Sequence, residues 1–253
     1  MAKKNKGSRS IPVNAKAEDL LKAALNPSKR VIQSPRMSLN KLAEYLMADS
    51  SKRKKLVVDA KYPDANPTPE YYGEAREGVR AFLLSGYDGA VLDDAIAHLD
   101  SKATTSSQGE ARIEHNKSAL EAIGDTSLPD LSAYTVSKHT GRATKLKING
   151  VAVSVYPDVI VRGTIRKKKV VGAVMTHITK DGLTEESCKN VAVLLKDFLE
   201  AHVADSDEVV RNALCYSVDV RTKQVLSCPQ GTATRKKKIN DACEEIAMWW
   251  KRL

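Results

Sequence analysis

The hydrophobic period of this chain changes at about residue 131, and that change constrains the fold more than any other feature. Before it, apolar residues recur every three or four positions, as in "NPTPEYYGEAREGVRAFLLSG", which is typical of amphipathic helices. After it, β-branched residues alternate in short runs broken by glycine, which is typical of strands. A helical half followed by a strand-rich half predicts an α+β fold.

The strand-rich half predicts a central mixed β-sheet flanked by helices. "LSAYTVSKH", "TKLKING", "VAVSVYPDVIVRG" and "KKVVGAVMTHITK" read as an antiparallel meander of three or four strands, with a tight hairpin turn at Asn149-Gly150. A helix capped by Thr184, two more strands and a final helix follow. We expect three regions: a disordered basic arm over 1–14, a helical region over 15–128 and an α/β core domain over 129–253.

The composition argues against several classes of protein. No apolar run approaches the ~18 residues of a membrane-spanning helix, and no apolar segment follows the basic start "MAKKNKGSRS" as it would in a secretory signal. The four cysteines lie 27, 13 and 15 positions apart without a CxxC pair, which argues against a zinc site. These features predict a cytoplasmic protein with buried, reduced thiols and no membrane partner.

The distribution of charge along the sequence is more informative about binding partners than the net charge of the whole chain. Residues 1–55 have a net charge of +10, and residues 56–130 have a net charge of −8. Residues 131–180 hold ten Lys and Arg against a single acid, Asp158. A strongly basic strand region is expected beside a polyanion, although a solvated sheet face would have the same composition.

Three runs of four cations supply candidate contacts to nucleic acid. Two lie near predicted helix starts, where positive charge is unfavourable unless an anion compensates it. The third lies in the turn between two predicted strands, where it suits a phosphate backbone. The predicted nucleic-acid-binding residues are Lys52, Arg53, Lys54, Lys55, Arg166, Lys167, Lys168, Lys169, Arg235, Lys236, Lys237 and Lys238. Tyr71-Tyr72 is compatible with base stacking, but packing within a helix is the commoner role for such a pair.

The segment "SVYPDVIVRGTIRKKKVVGAVMTHITK" joins Pro157-Asp158 to a following strand. With the helix and strands after it, this hairpin resembles the PD-(D/E)XK superfamily, the restriction-endonuclease-like nucleases, especially their RecB-like branch. The resemblance implies a restriction-endonuclease-like core. It also implies a metal site in which Asp158 holds Mg²⁺ with a carboxylate from a preceding helix, Glu114 or Glu110.

The second strand of the hairpin departs from the family pattern, because it contains no acidic residue. Met175-Thr176-His177 stands where the family has Glu-x-Lys, and Lys180 follows the strand end. Our leading hypothesis is therefore a nucleic-acid-binding protein, for DNA rather than RNA, that has a degenerate catalytic motif and needs no cofactor. One alternative is an active nuclease that uses Asp158, His177 and Lys180 with Mg²⁺ or Mn²⁺. Another is a protein-interaction or assembly subunit whose acidic helical region contacts a protein partner.

Overall fold

A computed structural model describes residues 30–64, 70–140, 144–180 and 182–253. The predicted basic arm over 1–14 lies outside the described residues. Within them the chain is α+β, with a helical N-terminal region followed by mixed β-sheets and flanking helices, as the change of period predicts. No helix in these ranges is long and apolar enough to cross a membrane.

Five helices lie in the described part of the N-terminal region, and most of them begin at a side-chain cap. Ser38, Asp49, Asp88 and Ser106 each accept a hydrogen bond from a backbone N–H in the first turn of the helix that follows. The helices are α1 (Leu39–Met47), α2 (Ser50–Lys61), α3 (Gly73–Leu84), α4 (Gly89–Asp100) and α5 (Ser107–Gly124).

The larger sheet has five strands and is mixed, as predicted. Its order is β2-β5-β6-β7-β8, and only the β6–β7 pair is parallel. Helix α6 (Glu185–His202), which Thr184 caps, connects this parallel pair. The strands are β2 (Thr135–Lys138), β5 (Val159–Ile165), β6 (Lys168–His177), β7 (Glu208–Asp219) and β8 (Gln224–Ser227).

A second sheet replaces part of the expected single meander. "VAVSVYPDVIVRG" does not form one strand, because β4 (Val151–Ser154) and β5 belong to different sheets. Pro157 cannot donate a ladder hydrogen bond, and the chain changes sheet at this point. Strand β4 pairs with β3 (Lys145–Ile148) across the predicted Asn149-Gly150 turn, and it also pairs in parallel with β1 (Arg36–Ser38).

Both faces of the five-stranded sheet are buried. On the α6 face, Ile160, Ala173 and Met175 pack in one hydrophobic cluster with α1, α6 and α7 (Ala233–Arg252). On the opposite face, Val159 and Val174 pack in a second cluster with α3, α4 and α5. Alternate residues of each strand therefore enter different cores, and helices from the N-terminal region contribute to both.

The parallel pair contains an irregularity at Gly172. The register shifts between Val171 and Ala173, and strand β7 passes very close at that point. A methyl group added to Gly172 would lie 2.3 Å from both the side chain and the carbonyl oxygen of Leu214. Only glycine permits this backbone approach.

Candidate functional site

Asp158 immediately precedes β5, and its side chain faces the helix α3. The side chain is only 1% exposed. Its Oδ2 accepts two hydrogen bonds from Thr176 on the neighbouring strand, one from the backbone N–H at 2.7 Å and one from the hydroxyl at 2.8 Å. Its Oδ1 lies 3.5 Å from a guanidinium nitrogen of Arg80. The carboxylate thus ties β5 to β6 and faces a cation from α3.

The surroundings of Asp158 do not fit a divalent metal. Burial raises the pKa of this carboxyl above its ordinary value, and the Thr176 hydrogen bonds and the charges of Arg76 and Arg80 oppose that rise. A Mg²⁺ ion requires several further oxygen ligands, whereas here one carboxylate meets N–H and O–H donors and two cations. Among the described residues, no three His, Cys, Asp or Glu side chains are grouped so that they could hold a metal ion.

The other residues of the predicted nuclease site do not join Asp158. Thr176 hydrogen-bonds to Asp158 directly, and strand alternation points the His177 side chain to the opposite side of β6 from Thr176, the side of Met175. Lys180 is exposed beyond the end of β6. Glu114 is exposed on α5 and forms an ion pair with Lys117 at 3.2 Å. Glu110, the other helix carboxylate considered, is exposed as well.

His177 is fully buried, and within the described residues neither of its ring nitrogens has a hydrogen-bond partner. Burial lowers its pKa to about 3, and the positive charge of Arg76 adds to this effect. The imidazole is therefore neutral in the folded protein near neutral pH. This neutral imidazole has two ring nitrogens without a partner among the described residues. It forms no hydrogen bond with Asp158, although the charge of Arg76 lowers the pKa of both groups.

The cation run at the tip of the β5–β6 hairpin, residues 166–169, is the most exposed of the three runs. Ile165 pairs with Lys168, which leaves Arg166 and Lys167 as a two-residue turn. Both have positive φ, 48° and 66°, and Arg166, Lys167 and Lys168 are exposed. None of these three forms an ion pair with a described residue, whereas Lys169 contacts Asp207 at 2.6 Å. The seven residues of β5 separate this tip from Asp158, roughly 23 Å.

The run at residues 52–55 is engaged within the fold. These cations lie in the first turns of α2, after the capping carboxylate of Asp49. Arg53 also donates to the carbonyl of Tyr45 at 3.1 Å. The charged or aromatic partners of Lys52, Arg53, Lys54 and Lys55 are, in that order, Glu44, Glu245, the Trp249 ring and Asp59. The anions expected to compensate this helix start come from the chain itself.

The run at residues 235–238 opens α7 and is engaged only in part. Arg235 makes a two-pronged contact with Glu186, at 2.7 and 3.0 Å, and Lys236 lies 2.6 Å from Asp197. Lys237 and Lys238 are exposed and form no ion pair with a described residue. Two of these four cations therefore stabilise the packing of α7 on α6, and two remain open to a partner.

The strand region has a uniformly cationic exterior. Its described part between 131 and 180 contains nine Lys and Arg, and its one acid, Asp158, is buried. Within the described chain, two of the nine cations form ion pairs, Arg162 with Glu208 and Lys169 with Asp207. This region thus offers a polyanion several cations and no exposed carboxylate of its own.

Sequence reasoning missed the partners of Asp158. Arg76 and Arg80 are four positions apart on α3, a spacing that places both on one helix face. That spacing was readable in "EAREGVRAF", but the target of the two cations depends on how α3 packs on the sheet. Thr176 was read as the middle residue of the expected motif, whereas its side chain faces Asp158.

Comparison with known proteins adds nothing to this geometry. No family model matches the sequence, and a search of the curated proteins finds no match.

Proposed function

We propose that this protein binds nucleic acid, DNA in preference to RNA, through cations of its strand region, on a nuclease-like core whose Asp158 has a structural role. The proposal includes no metal and no bond cleavage. A restriction-endonuclease-like core is supported by the order of the β5–β6 hairpin, the α6 crossover and β7, with the Pro-Asp pair at the start of β5. The degenerate motif is supported by Thr176, whose hydroxyl contacts Asp158, and by strand β6, which contains no acidic residue.

The observation that carries the proposal is the turn at Arg166-Lys167. A two-residue turn with two positive φ values prefers Asn-Gly, because other L-residues lose roughly 1–2 kcal/mol each in this conformation. The same chain uses Asn149-Gly150 at its other such hairpin, with φ values of 44° and 82°. At the β5–β6 tip it instead keeps two long cations in the strained conformation. Backbone strain that persists in this way is a sign of function.

The test is the double variant Arg166→Asn/Lys167→Gly. It gives the β5–β6 turn the Asn-Gly sequence that the β3–β4 turn already has. We expect the free energy of unfolding to rise by about 1 kcal/mol, because strain is removed. We expect DNA binding to weaken by roughly 10- to 60-fold near 0.1 M salt, since each lost phosphate contact is worth about eightfold there. The slope of log affinity against log salt should fall by about 2.

A matched control removes the same charge elsewhere. Lys251→Gln/Arg252→Gln neutralises two exposed cations in the last turn of α7 and should leave both binding and its salt slope nearly unchanged. Fluorescence anisotropy with a labelled duplex, measured from 50 to 200 mM salt, reads both quantities. Equal losses in the turn variant and the control would show that net charge alone drives binding. No binding by the parent at low salt would refute the proposal and favour an assembly subunit that contacts a protein partner.

A further inference from the structure

A small pocket opens beside the C-terminal ends of the parallel strands β6 and β7. Its volume is about 130 Å³. Ile178 and Val220, which follow these two strands, form part of its apolar lining, and Ala119 of α5 closes another side. In open sheets, ligands commonly bind outside the carboxyl ends of parallel strands. The pocket lies on the same face of the sheet as Asp158, but Asp158 does not line it.

The polar and aromatic lining of the pocket points to a flat, anionic ligand. Tyr72 and His115 contribute rings, and Ser118 and Thr179 contribute hydroxyl groups. Tyr71 joins the two rings: its centroid lies 5.0 Å from that of Tyr72 and 5.8 Å from that of His115. Its hydroxyl also lies 2.8 Å from Nδ1 of His115. The Tyr71 ring meets that of Tyr72 at 72° and that of His115 at 46°, so it buttresses the two lining residues from outside the pocket. Aromatic side chains such as these are the ones on which unpaired bases stack.

A cation completes the lining. Arg221 contributes to the pocket, is exposed, and forms no ion pair within the described chain. Lys180, which follows the lining residue Thr179, is exposed too. Arginine suits phosphate because its planar fork of donors matches two phosphate oxygens. Two aromatic side chains and an exposed cation around one small space are features that suit a nucleotide unit.

The loops that carry these residues are fixed by a buried carboxylate. Asp219 is fully buried at the end of β7. One of its oxygens accepts hydrogen bonds from the backbone N–H and the hydroxyl of Thr222, at 2.7 and 2.9 Å. The other accepts from the N–H of Leu183 at 2.7 Å. Asp219 thereby fixes the turn that carries Arg221 and the backbone of Leu183 just before α6, so Arg221 is positioned before any ligand arrives.

We propose that this pocket binds one nucleotide of a single strand, with the base against Tyr72 and His115 and a neighbouring phosphate at Arg221. The inference rests on the proposed function and extends it, because it assigns single-stranded nucleic acid as the preferred form. The cations of the hairpin tip can contact the phosphate backbone of either a single strand or a duplex. The pocket serves only an unpaired base, since stacked bases of a duplex cannot enter it.

The experiment fills the pocket and separately removes its cation. Ser118 is exposed on α5, so Ser118→Trp fills the space from the rim, and Arg221→Ala removes the charge. Gln108→Trp, on the same helix outside the pocket, and Arg211→Ala, near the other end of β7, are the matched controls. The probes are a labelled 12-nucleotide single strand, a labelled 12-base-pair duplex and unlabelled dAMP as competitor.

We expect each pocket variant to weaken single-strand binding by roughly 5- to 100-fold and to leave duplex binding unchanged. Both controls should bind like the parent, and dAMP should compete for the single strand in the parent and the controls but not in the pocket variants. Normal single-strand affinity in both pocket variants, together with a loss in Arg166→Asn/Lys167→Gly, would overturn the pocket and leave the proposed function standing. No binding of either probe by the parent would overturn both. Thermal melts show whether Ser118→Trp folds, and Arg221→Ala tests the site independently.

Discussion

Replacing Asp158 should reveal whether this carboxylate stabilises the fold or binds a metal cation. In Asp158→Ala, the N–H and hydroxyl of Thr176 lose their acceptor in a site without solvent. A buried donor without a partner costs about 1–3 kcal/mol, and the substitution leaves two such donors. Relief of the carboxylate's desolvation offsets part of this loss. We expect a fall in the free energy of unfolding of about 2–4 kcal/mol.

Asp158→Asn is the informative companion. Both hydrogen bonds from Thr176 end on the same oxygen, Oδ2, so a single amide oxygen can accept both. The amide nitrogen then faces Arg80 across 3.5 Å, a mild repulsion. We expect Asp158→Asn to cost about 1 kcal/mol or less, well below the alanine variant. A metal ligand would give a different pattern, because both substitutions would abolish cation binding equally.

Urea denaturation, followed by circular dichroism, measures the free energy of unfolding of each variant. A double-mutant cycle with Thr176→Val then gives the interaction energy between Asp158 and the Thr176 hydroxyl. The coupling energy should be about 1 kcal/mol, because the hydroxyl contributes only in the presence of the carboxylate. An Asp158→Ala protein as stable as the parent, or more stable, would refute this reasoning. Such a result would be expected if Asp158 were retained for binding and lowered the stability of the fold.

Three further predictions concern other buried groups. Below its ordinary pKa of about 6.5, His177 takes up a proton when unfolded but not when folded until about pH 3. Stability should therefore fall by up to ~1.4 kcal/mol per unit as pH drops through that window, and His177→Phe should remove this component in urea melts at pH 4–7. Gly172→Ala should destabilise by at least about 2 kcal/mol by collision with the Leu214 backbone, whereas Gly89→Ala, with open space at its Cβ, should be neutral or stabilising; thermal unfolding compares them. The four cysteine thiols, whose pKa values burial raises, should react with a disulfide reagent at the rate of unfolding, and rapid native-state labelling would contradict this.

Much of the architecture was predictable because local signals and tertiary packing agree. The change of period located the start of the strand region, and the caps at Ser38 and Thr184 fixed two helix starts. The division of the strands between two sheets was not predictable. "VAVSVYPDVIVRG" has one continuous β pattern, and only the pairing of β4 with β1, more than 100 positions earlier, shows that the chain changes sheet.

The site was less predictable than the fold, because side-chain partners depend on register and helix packing. Asp158 was singled out, but the sequence placed His177 beside it, and a one-residue difference along a strand changes the face. The cation runs at the starts of α2 and α7 suggested phosphate, yet their compensating anions, among them Glu44 and Glu186, come from helices distant in sequence. Nothing local in the sequence shows which cations are already paired.

The two ends of the described chain are joined, and this has a consequence for how the protein forms. The indole N–H of Trp250 donates to the carbonyl of Ile32 at 3.2 Å, and the Tyr62 hydroxyl donates to the carbonyl of Leu253 at 2.8 Å. During synthesis, α1 and α2 leave the ribosome long before α7 exists to cover them. With contacts of such long sequence separation, folding is expected to be slow, with the early helices exposed to chaperones until α7 has been synthesised.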